Sequence, residues 1–334
     1  MRAAVWERPG ELRVQERADP EPGPQEIIVR VGACGMCGTD IHVAEGEFPP
    51  TPYPIVPGHE FAGEVVSIGS EVEDPVVGSQ VAVDPSLFCG HCDFCRVQRG
   101  NLCRNWNALG TTVDGAFAEL VRAPARNAYQ LPDGTSPRTG ALVEPLACAV
   151  HGMRRLDPQT GDSVLVTGAG TMGLLLLQLL HHGGAAGVTV VDRNERRLEL
   201  AQSLGAAQVE TDVDALRRDH PEGFDCVVDA TGVSVVIQQG LEAVRRGGKL
   251  MMFGVAPQDA RVEVSPFRIY NEEITLVGSM AVLYTFVQAI ELLRNGGVQT
   301  EPMLTSTFPL DEFEDALAAM RAGEGVKVQV LPNS

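Results

Sequence analysis

The sequence predicts a two-domain fold of the α/β plus β class: an antiparallel, barrel-like β domain, interrupted in the chain by a doubly wound parallel-sheet domain. Three observations predict it. The first third of the chain is a series of short β-like runs broken by Gly and Pro, the middle alternates apolar strands with helical patterns, and the end returns to single strands and amphipathic helices. At 334 residues, 44% hydrophobic and 21% charged, the chain is long enough for two domains.

The elements follow in order. From Met1 to about Asn127 the runs "RAAVW", "LRVQE", "EIIVRVGA", "FAGEVVSIG", "SQVAVDP" and "AFAELVRA" read as strands with long loops between them. The texture changes around Pro145. From Gly161 onward "SVLVTG", "TMGLLLLQLLHH", "GVTVVD", "ERRLELAQSLG", "FDCVVDAT", "SVVIQQGLEAVRR" and "KLMMFG" alternate strand and helix, which implies right-handed crossovers and a parallel sheet covered on both faces. After "ITLVGS" come a helix in "YTFVQAIELLRNG", the run "STFPL", a helix in "DEFEDALAAMRAG" and a last strand, "KVQVL". These segments read as a return to the first domain, so the boundaries are 1–146 and 277–334 for the β domain and 147–276 for the parallel-sheet domain.

A formal net charge of −18, with no run of Lys and Arg, excludes nucleic acid and an anionic membrane surface as partners. The opening "MRAAVWERPGELRVQERADP" carries charges where a signal peptide needs an apolar core, and no segment approaches the roughly 18 apolar residues of a membrane span. A soluble, cytoplasmic protein is expected. In that compartment the 8 cysteines point to metal binding or chemistry in preference to disulfides.

"SVLVTGAGTMG" sets Gly168, Gly170 and Gly173 in a GxGxxG directly after a strand and at the mouth of a helix, with Thr171 and Met172 inside the turn. That context suits a tight turn, close backbone approach to a pyrophosphate, and a helix N-terminus to hold the anion. The next strand ends on Asp192, where a carboxylate would accept the ribose hydroxyls and repel a 2′-phosphate, so NAD is expected over NADP. Arg193 is the complication, since a guanidinium there could stack on adenine or hold a phosphate; Arg197 on the following helix is counted with the cofactor contacts.

Two cysteine groups carry metal chemistry. "CGHCDFCRVQRGNLC" supplies Cys89, Cys92, Cys95 and Cys103, four soft ligands that fit a closed tetrahedral zinc site with no position for water. An iron–sulfur cluster or a disulfide pair are the alternatives the same residues allow. "GACGMCGTDIH" contains a second CxxC, Cys34 and Cys37, readable as a redox dithiol, half a zinc knuckle, or one ligating cysteine beside a bystander. No further CxxC completes it. His59 and Glu60 in "VPGHEFAGEVV" and Glu144 and Cys148 in "GALVEPLACAVHG" offer donors for an open, three-ligand zinc site with Cys37.

Five motifs, "CGMCGTDIH", "GHEFAGEV", the four-cysteine loop, "EPLACAVHG" and "VLVTGAGTMG", recur in this order over nearly the whole chain. In this the sequence resembles the zinc-dependent medium-chain dehydrogenase/reductases, the alcohol dehydrogenase superfamily, and within it the polyol (sorbitol, arabitol) and threonine dehydrogenase branch. The resemblance implies a GroES-like catalytic domain, a Rossmann coenzyme domain and an active site in the cleft between them. It implies Cys37 and His59 as ligands of a catalytic zinc, and Glu60 as ligand or supporting carboxylate. Glu144 would bind the metal or hold its water, and Asp40 would orient the shell. "VVGSQVAV" departs from the family's usual Gly-Asp-Arg-Val, at a strand start without chemistry.

The implied reaction is oxidation of a secondary hydroxyl of a polyol or sugar, with zinc polarising the hydroxyl and NAD taking the hydride. A proton relay would run through the Thr39 hydroxyl, the coenzyme ribose and His42. Thr231, Val255 and Ser279, at strand ends in "VVDATG", "MMFGV" and "LVGSM", would line the nicotinamide pocket. Cys34, Cys148 and Cys226 read as small buried residues. Pocket walls would come from "AEGEFPPTPYP", "LFCGHC" and "AVLYTF". Threonine or small-diol oxidation on the same scaffold, and a zinc-stabilised nucleotide-binding protein without turnover, are the competing readings. A homotetramer or homodimer is implied, with the apolar stretch at 274–294 as its interface.

Overall fold

A computed structural model describes residues 1–47 and 51–334, and for Arg217 the backbone alone; residues 48–50, inside the expected "AEGEFPPTPYP" pocket wall, lie outside the described residues. The chain divides into two compact units. The first comprises Met1–Ala147, Val282–Arg294 and Met303–Ser334, and the second Cys148–Ala281 and Asn295–Pro302.

The first unit is built on a seven-stranded sheet. Its order is Leu304–Pro309, Lys327–Leu331, Glu26–Gly35, Glu60–Ile68, Gln80–Val83 and Ala128–Gln130, with Leu120–Pro124 also paired to Glu26–Gly35. All these pairings are antiparallel except Leu304–Pro309 with Lys327–Leu331. The β-branched run of Glu26–Gly35 is buried at most positions, as a central strand covered on both faces must be. Its core gathers Trp6, Phe61, Phe117 and Phe313, the last two in edge-to-face contact at 4.8 Å between ring centres. The run "AFAELVRA" forms a strand only at Leu120–Pro124.

Pairing of Glu26–Gly35 with Glu60–Ile68 sets Gly35 opposite Glu60 and Cys34 opposite Phe61. Cys37, just past the end of one strand, is thereby brought beside His59 and Glu60 at the start of its neighbour. After Cys37 the chain turns into the helix Gly38–Glu45. Asp40 Oδ2 accepts from the Cys37 backbone N–H at 2.8 Å, and Gly46 ends the helix in the left-handed region at φ 75°. This helix is too short and too weakly amphipathic to be read from periodicity.

The second unit is a six-stranded parallel sheet in the order Gln208–Glu210, Gly187–Val191, Ser163–Thr167, Phe224–Asp229, Val244–Met252, Thr275–Gly278. Numbered along the chain this is 3-2-1-4-5-6, the Rossmann arrangement, whose order reverses between Ser163–Thr167 and Phe224–Asp229. Strands such as Ser163–Thr167 are buried almost throughout because helices cover both faces. The helices Thr171–His182 and Glu195–Ser203 fall where the 3.6-residue pattern sets them. "SVVIQQGLEAVRR" instead ends its helix at Glu242, and Val244 onward joins the next strand. Among the described residues no helix is long and apolar enough to cross a membrane.

Candidate metal centres and dinucleotide site

Among the described residues two groups of donors could hold a metal ion, Cys89, Cys92, Cys95 and Cys103 in one and Cys37, His59 and Glu60 in the other. In the first, Sγ–Sγ separations are 3.5 Å for Cys92–Cys95 and for Cys89–Cys103, 3.9 Å for Cys92–Cys103 and 4.0 Å for Cys89–Cys95. A tetrahedron of Zn–S bonds near 2.3 Å requires sulfurs about 3.8 Å apart, so the four thiols already stand at the spacing a zinc ion needs. Backbone N–H groups of Cys89 and Asn105 donate to Cys103 Sγ at 3.4 and 3.3 Å. Hydrogen bonding draws the Cys92 thiol down to about 6, whereas burial pushes Cys95 up to about 12.

The second group is buried more deeply. His59 is 8% exposed, Glu60 2% and Asp40 1%. Asp40 Oδ1 and His59 Nδ1 lie 3.9 Å apart, and neither has a hydrogen-bond partner among the described residues. Buried polar atoms left in this condition are costly unless a cation completes them, so the donor set fits a metal ion. Burial opposes charging of His59, but Cys37, Asp40 and Glu144 outweigh it and hold the imidazole well above its ordinary 6.5. Burial in turn raises Asp40 to about 6, against the pull of His59 and the Cys37 N–H. Thr39 Oγ1 lies 3.8 Å from Cys37 Sγ, and His42 Nδ1 is 3.1 Å from Glu47 Oε2.

Glu144 is outside the ligand cluster, although its carboxylate is buried and its charge acts on both His59 and Lys327. Lys327 is the residue that motif reading overlooks. It is 2% exposed, and its ammonium pairs with Glu60 Oε2. A lysine inside a strand whose other positions are apolar or neutral was the available signal, because such a residue is buried only with a partner. Cys34 and Cys226 are buried, but Cys148 is only half-buried.

In the second unit the glycine turn adopts the geometry its spacing predicts. Gly168 has φ 99°, and a Cβ on Gly173 would lie 1.7 Å from Gly168 O, so neither position accepts a side chain. Gly170 caps the helix Thr171–His182 without a side-chain bond, and nothing lies within 4 Å of where its Cβ would be. That leaves the helix N–H groups open to an anion. Asp192 Oδ2 accepts from Ala169 N at 2.7 Å, and Oδ1 from Asn194 N at 2.8 Å.

A cavity of about 740 Å³ is lined by Gly168, Gly170, Asp192, Arg193, Arg197 and Thr231, among others. Thr231 is fixed there by the fully buried Asp229, which accepts its hydroxyl at 2.6 Å. Thr171, Met172, Gly173, Val255 and Ser279 do not line this cavity. Val255 is 58% exposed, and Ser279 Oγ is buried without a partner among the described residues.

Comparison with known proteins agrees with this geometry. The family model "Alcohol dehydrogenase GroES-like domain" matches residues 23–133, and "Zinc-binding dehydrogenase" matches 171–295. D-arabinitol dehydrogenase 1 of Uromyces fabae is 37% identical over 100% of this chain and 97% of its own. D-altritol 5-dehydrogenase of Agrobacterium fabrum is 39% identical over 89% and 88%, and L-threonine 3-dehydrogenase of Alteromonas mediterranea 34% over 94% of each. A zinc-binding dehydrogenase of Sinorhizobium meliloti 1021 solved with NADP superposes with a TM-score of 0.94 at 36% identity, covering 99% of each chain. An Escherichia coli CFT073 alcohol dehydrogenase complexed with NADH gives 0.93 at 30%, again over 99% of each. The chain belongs to the zinc-dependent medium-chain dehydrogenases, in the branch that holds the polyol dehydrogenases, and is a zinc- and NAD(P)-dependent oxidoreductase acting on alcohols.

Proposed function

We propose that this chain oxidises a secondary hydroxyl of a polyol or sugar to the ketone, with NAD as the acceptor. The buried group of Cys37, His59 and Glu60, with Asp40 behind the imidazole, carries the reading, because it offers a soft and a nitrogen donor in a site otherwise left with unsatisfied polar atoms. The polyol assignment draws on the arabinitol and altritol dehydrogenases, which align over most of this chain. L-threonine oxidation is the second reading, supported by the 34% identical relative.

A zinc ion held by Cys37 and His59 with a carboxylate of Glu144 or Glu60 supplies a Lewis acid for the substrate hydroxyl, and the dinucleotide supplies the hydride acceptor. The protein supplies the rest. Asp40 Oδ2 fixes the Cys37 backbone, and its other oxygen stands 3.9 Å from His59 Nδ1, so one carboxylate backs both donors. Thr39 and His42 stand three residues apart on the helix Gly38–Glu45 and share a face. The Thr39 hydroxyl takes up the substrate's hydroxyl proton as it releases its own toward His42, and His42 gives a proton to solvent. Glu47 at Nδ1 favours the Nδ1–H tautomer of His42, which leaves Nε2 to take up the proton.

Asp192 lends its two unused acceptor sites to the adenosine ribose, which favours NAD. The closed Cys89–Cys103 site braces its loop and carries no chemistry. The edge strand Thr275–Gly278, with Leu276 38% exposed and Phe267 and Tyr270 72% and 82% exposed on the preceding helix Pro266–Asn271, is the dimer surface. Cys37→Ser tests the central assignment: it should abolish NADH formation and lower the zinc content by one equivalent while dinucleotide binding persists. Turnover by this variant would refute a ligand role.

A further inference from the structure

Strand order in the parallel sheet reverses between Ser163–Thr167 and Phe224–Asp229, and their register sets Thr167 opposite Asp229. The cavity that holds the glycine turn opens there, with Thr167 and Gly168 from one strand end and Ala230 and Thr231 from the other. Beneath it lies Asp229, 0% exposed. Its Oδ1 accepts from the Thr231 hydroxyl at 2.6 Å, from Thr231 N at 3.2 Å and from the Thr167 hydroxyl at 3.2 Å, while Oδ2 accepts from Gly232 N at 2.9 Å. All of these donors belong to the two strand ends that border the cavity. A turn by itself needs one acceptor, which an asparagine would supply; donors that converge on both oxygens need a carboxylate.

Thr231 is held on every side. Its hydroxyl gives its proton to Asp229 and accepts from Val233 N at 3.1 Å, which leaves one acceptor site and no donor for a ligand. Its methyl group meets the glycine turn, since a Cβ on Gly168 would lie 2.9 Å from Thr231 Cγ2. Gly232 follows with φ 70°, and a Cβ there would lie 2.2 Å from Val255 O, so the turn is seated tightly against the next strand end. Ala230 N donates to Thr167 O at 2.9 Å, and the Asp229 carbonyl accepts from Phe253 N and Gly254 N, each at 2.9 Å. We propose that Asp229 is a positioning residue for the dinucleotide: it ties together the strand ends that flank the switch point and presents the Thr231 hydroxyl as an acceptor only, to a donor such as a ribose hydroxyl. This rests on reading the cavity as the dinucleotide site.

The test titrates the full-length protein with NADH in the absence of alcohol, following nucleotide fluorescence, and records Tm alongside. Thr231→Ser keeps the hydroxyl and should bind within about three-fold of wild type, whereas Thr231→Val should bind about ten-fold more weakly. In Asp229→Asn the amide must turn its NH₂ toward Thr231 N or Gly232 N, so one backbone donor of the turn loses its acceptor; affinity should fall about ten-fold or more. Because Asp229 acts through Thr231, the double variant Asp229→Asn, Thr231→Val should bind within about three-fold of the weaker single variant. Losses that multiply in the double variant make Asp229 a structural residue only and overturn the proposal. It falls equally if Asp229→Asn lowers Tm but binds NADH like wild type, or if Thr231→Ser binds as weakly as Thr231→Val. Should Asp229→Asn not fold, Thr167→Val decides: it removes the tie from the first strand end and leaves Thr231 its partners, so affinity should fall at least about three-fold, and unchanged affinity refutes the tie. A wild-type protein that binds neither NADH nor NADPH overturns the reading of the cavity itself, whereas binding that Asp192→Ala weakens but changes at 229 and 231 do not sinks this inference alone.

Discussion

Replacing Asp192 by asparagine separates the structural use of this carboxylate from its use in choosing a cofactor. In the protein each oxygen already accepts one backbone N–H, from Ala169 at 2.7 Å and from Asn194 at 2.8 Å, which leaves about two of four acceptor sites for ribose hydroxyls. An amide retains one oxygen and turns an NH₂ toward the other donor. It therefore loses at least one bond to the ribose, and the repulsion of a 2′-phosphate disappears with the charge. A hydrogen bond to a charged group contributes about 1.5–3 kcal/mol, so the ratio of kcat/KM for NAD to that for NADP should fall about 10- to 150-fold. Initial rates with both dinucleotides at a fixed alcohol concentration measure it. A ratio that moves less than about three-fold would refute the argument and assign the choice to Arg193 and Arg197, which line the same cavity.

Two further outcomes concern stability. Cys95→Ser should reduce zinc from two equivalents to one and lower Tm by about 5–20 °C, from ~2–5 kcal/mol lost with a short-loop cross-link; unchanged metal content would rule out the four-thiolate site. Asp84, buried and accepting from Ser86, whose backbone N lies 2.9 Å from Oδ1, is raised by burial from the ordinary 3.8 to about 6. Its folded form favours the proton, so the stability that Asp84 contributes is fully present below pH ~4 and is lost as pH rises through about 6. Asp84→Asn should therefore raise Tm at pH 7.5, by up to about 3 kcal/mol in unfolding free energy, and have no effect near pH 4; a pH-independent difference would contradict this.

The parallel-sheet unit was legible because its signals are local. A strand, a GxGxxG, a helix and an acidic strand end lie within a few dozen residues, and Gly168 and Gly173 adopt the conformations that spacing dictates. The four-cysteine loop was legible for the same reason. The helix Gly38–Glu45 was not, because its capping by Asp40 and Gly46 replaces the hydrophobic periodicity that sequence reading depends on. Lys327 was also hidden: its partner is Glu60, and only pairing of both strands with Glu26–Gly35 brings them together. Glu60 and Glu144 were both read as carboxylate donors from their motifs; strand register sets Glu60 beside Cys37 and His59, and the charge of Glu144 acts on His59.

The account stands most directly on initial rates of NADH formation by the zinc-replete protein across pentitols, hexitols, 2,3-butanediol and L-threonine. The highest kcat/KM should fall on a polyol, with activity lost on chelation and restored by zinc. Preference for threonine by ten-fold or more, or turnover undiminished after both zinc equivalents are removed, would contradict it.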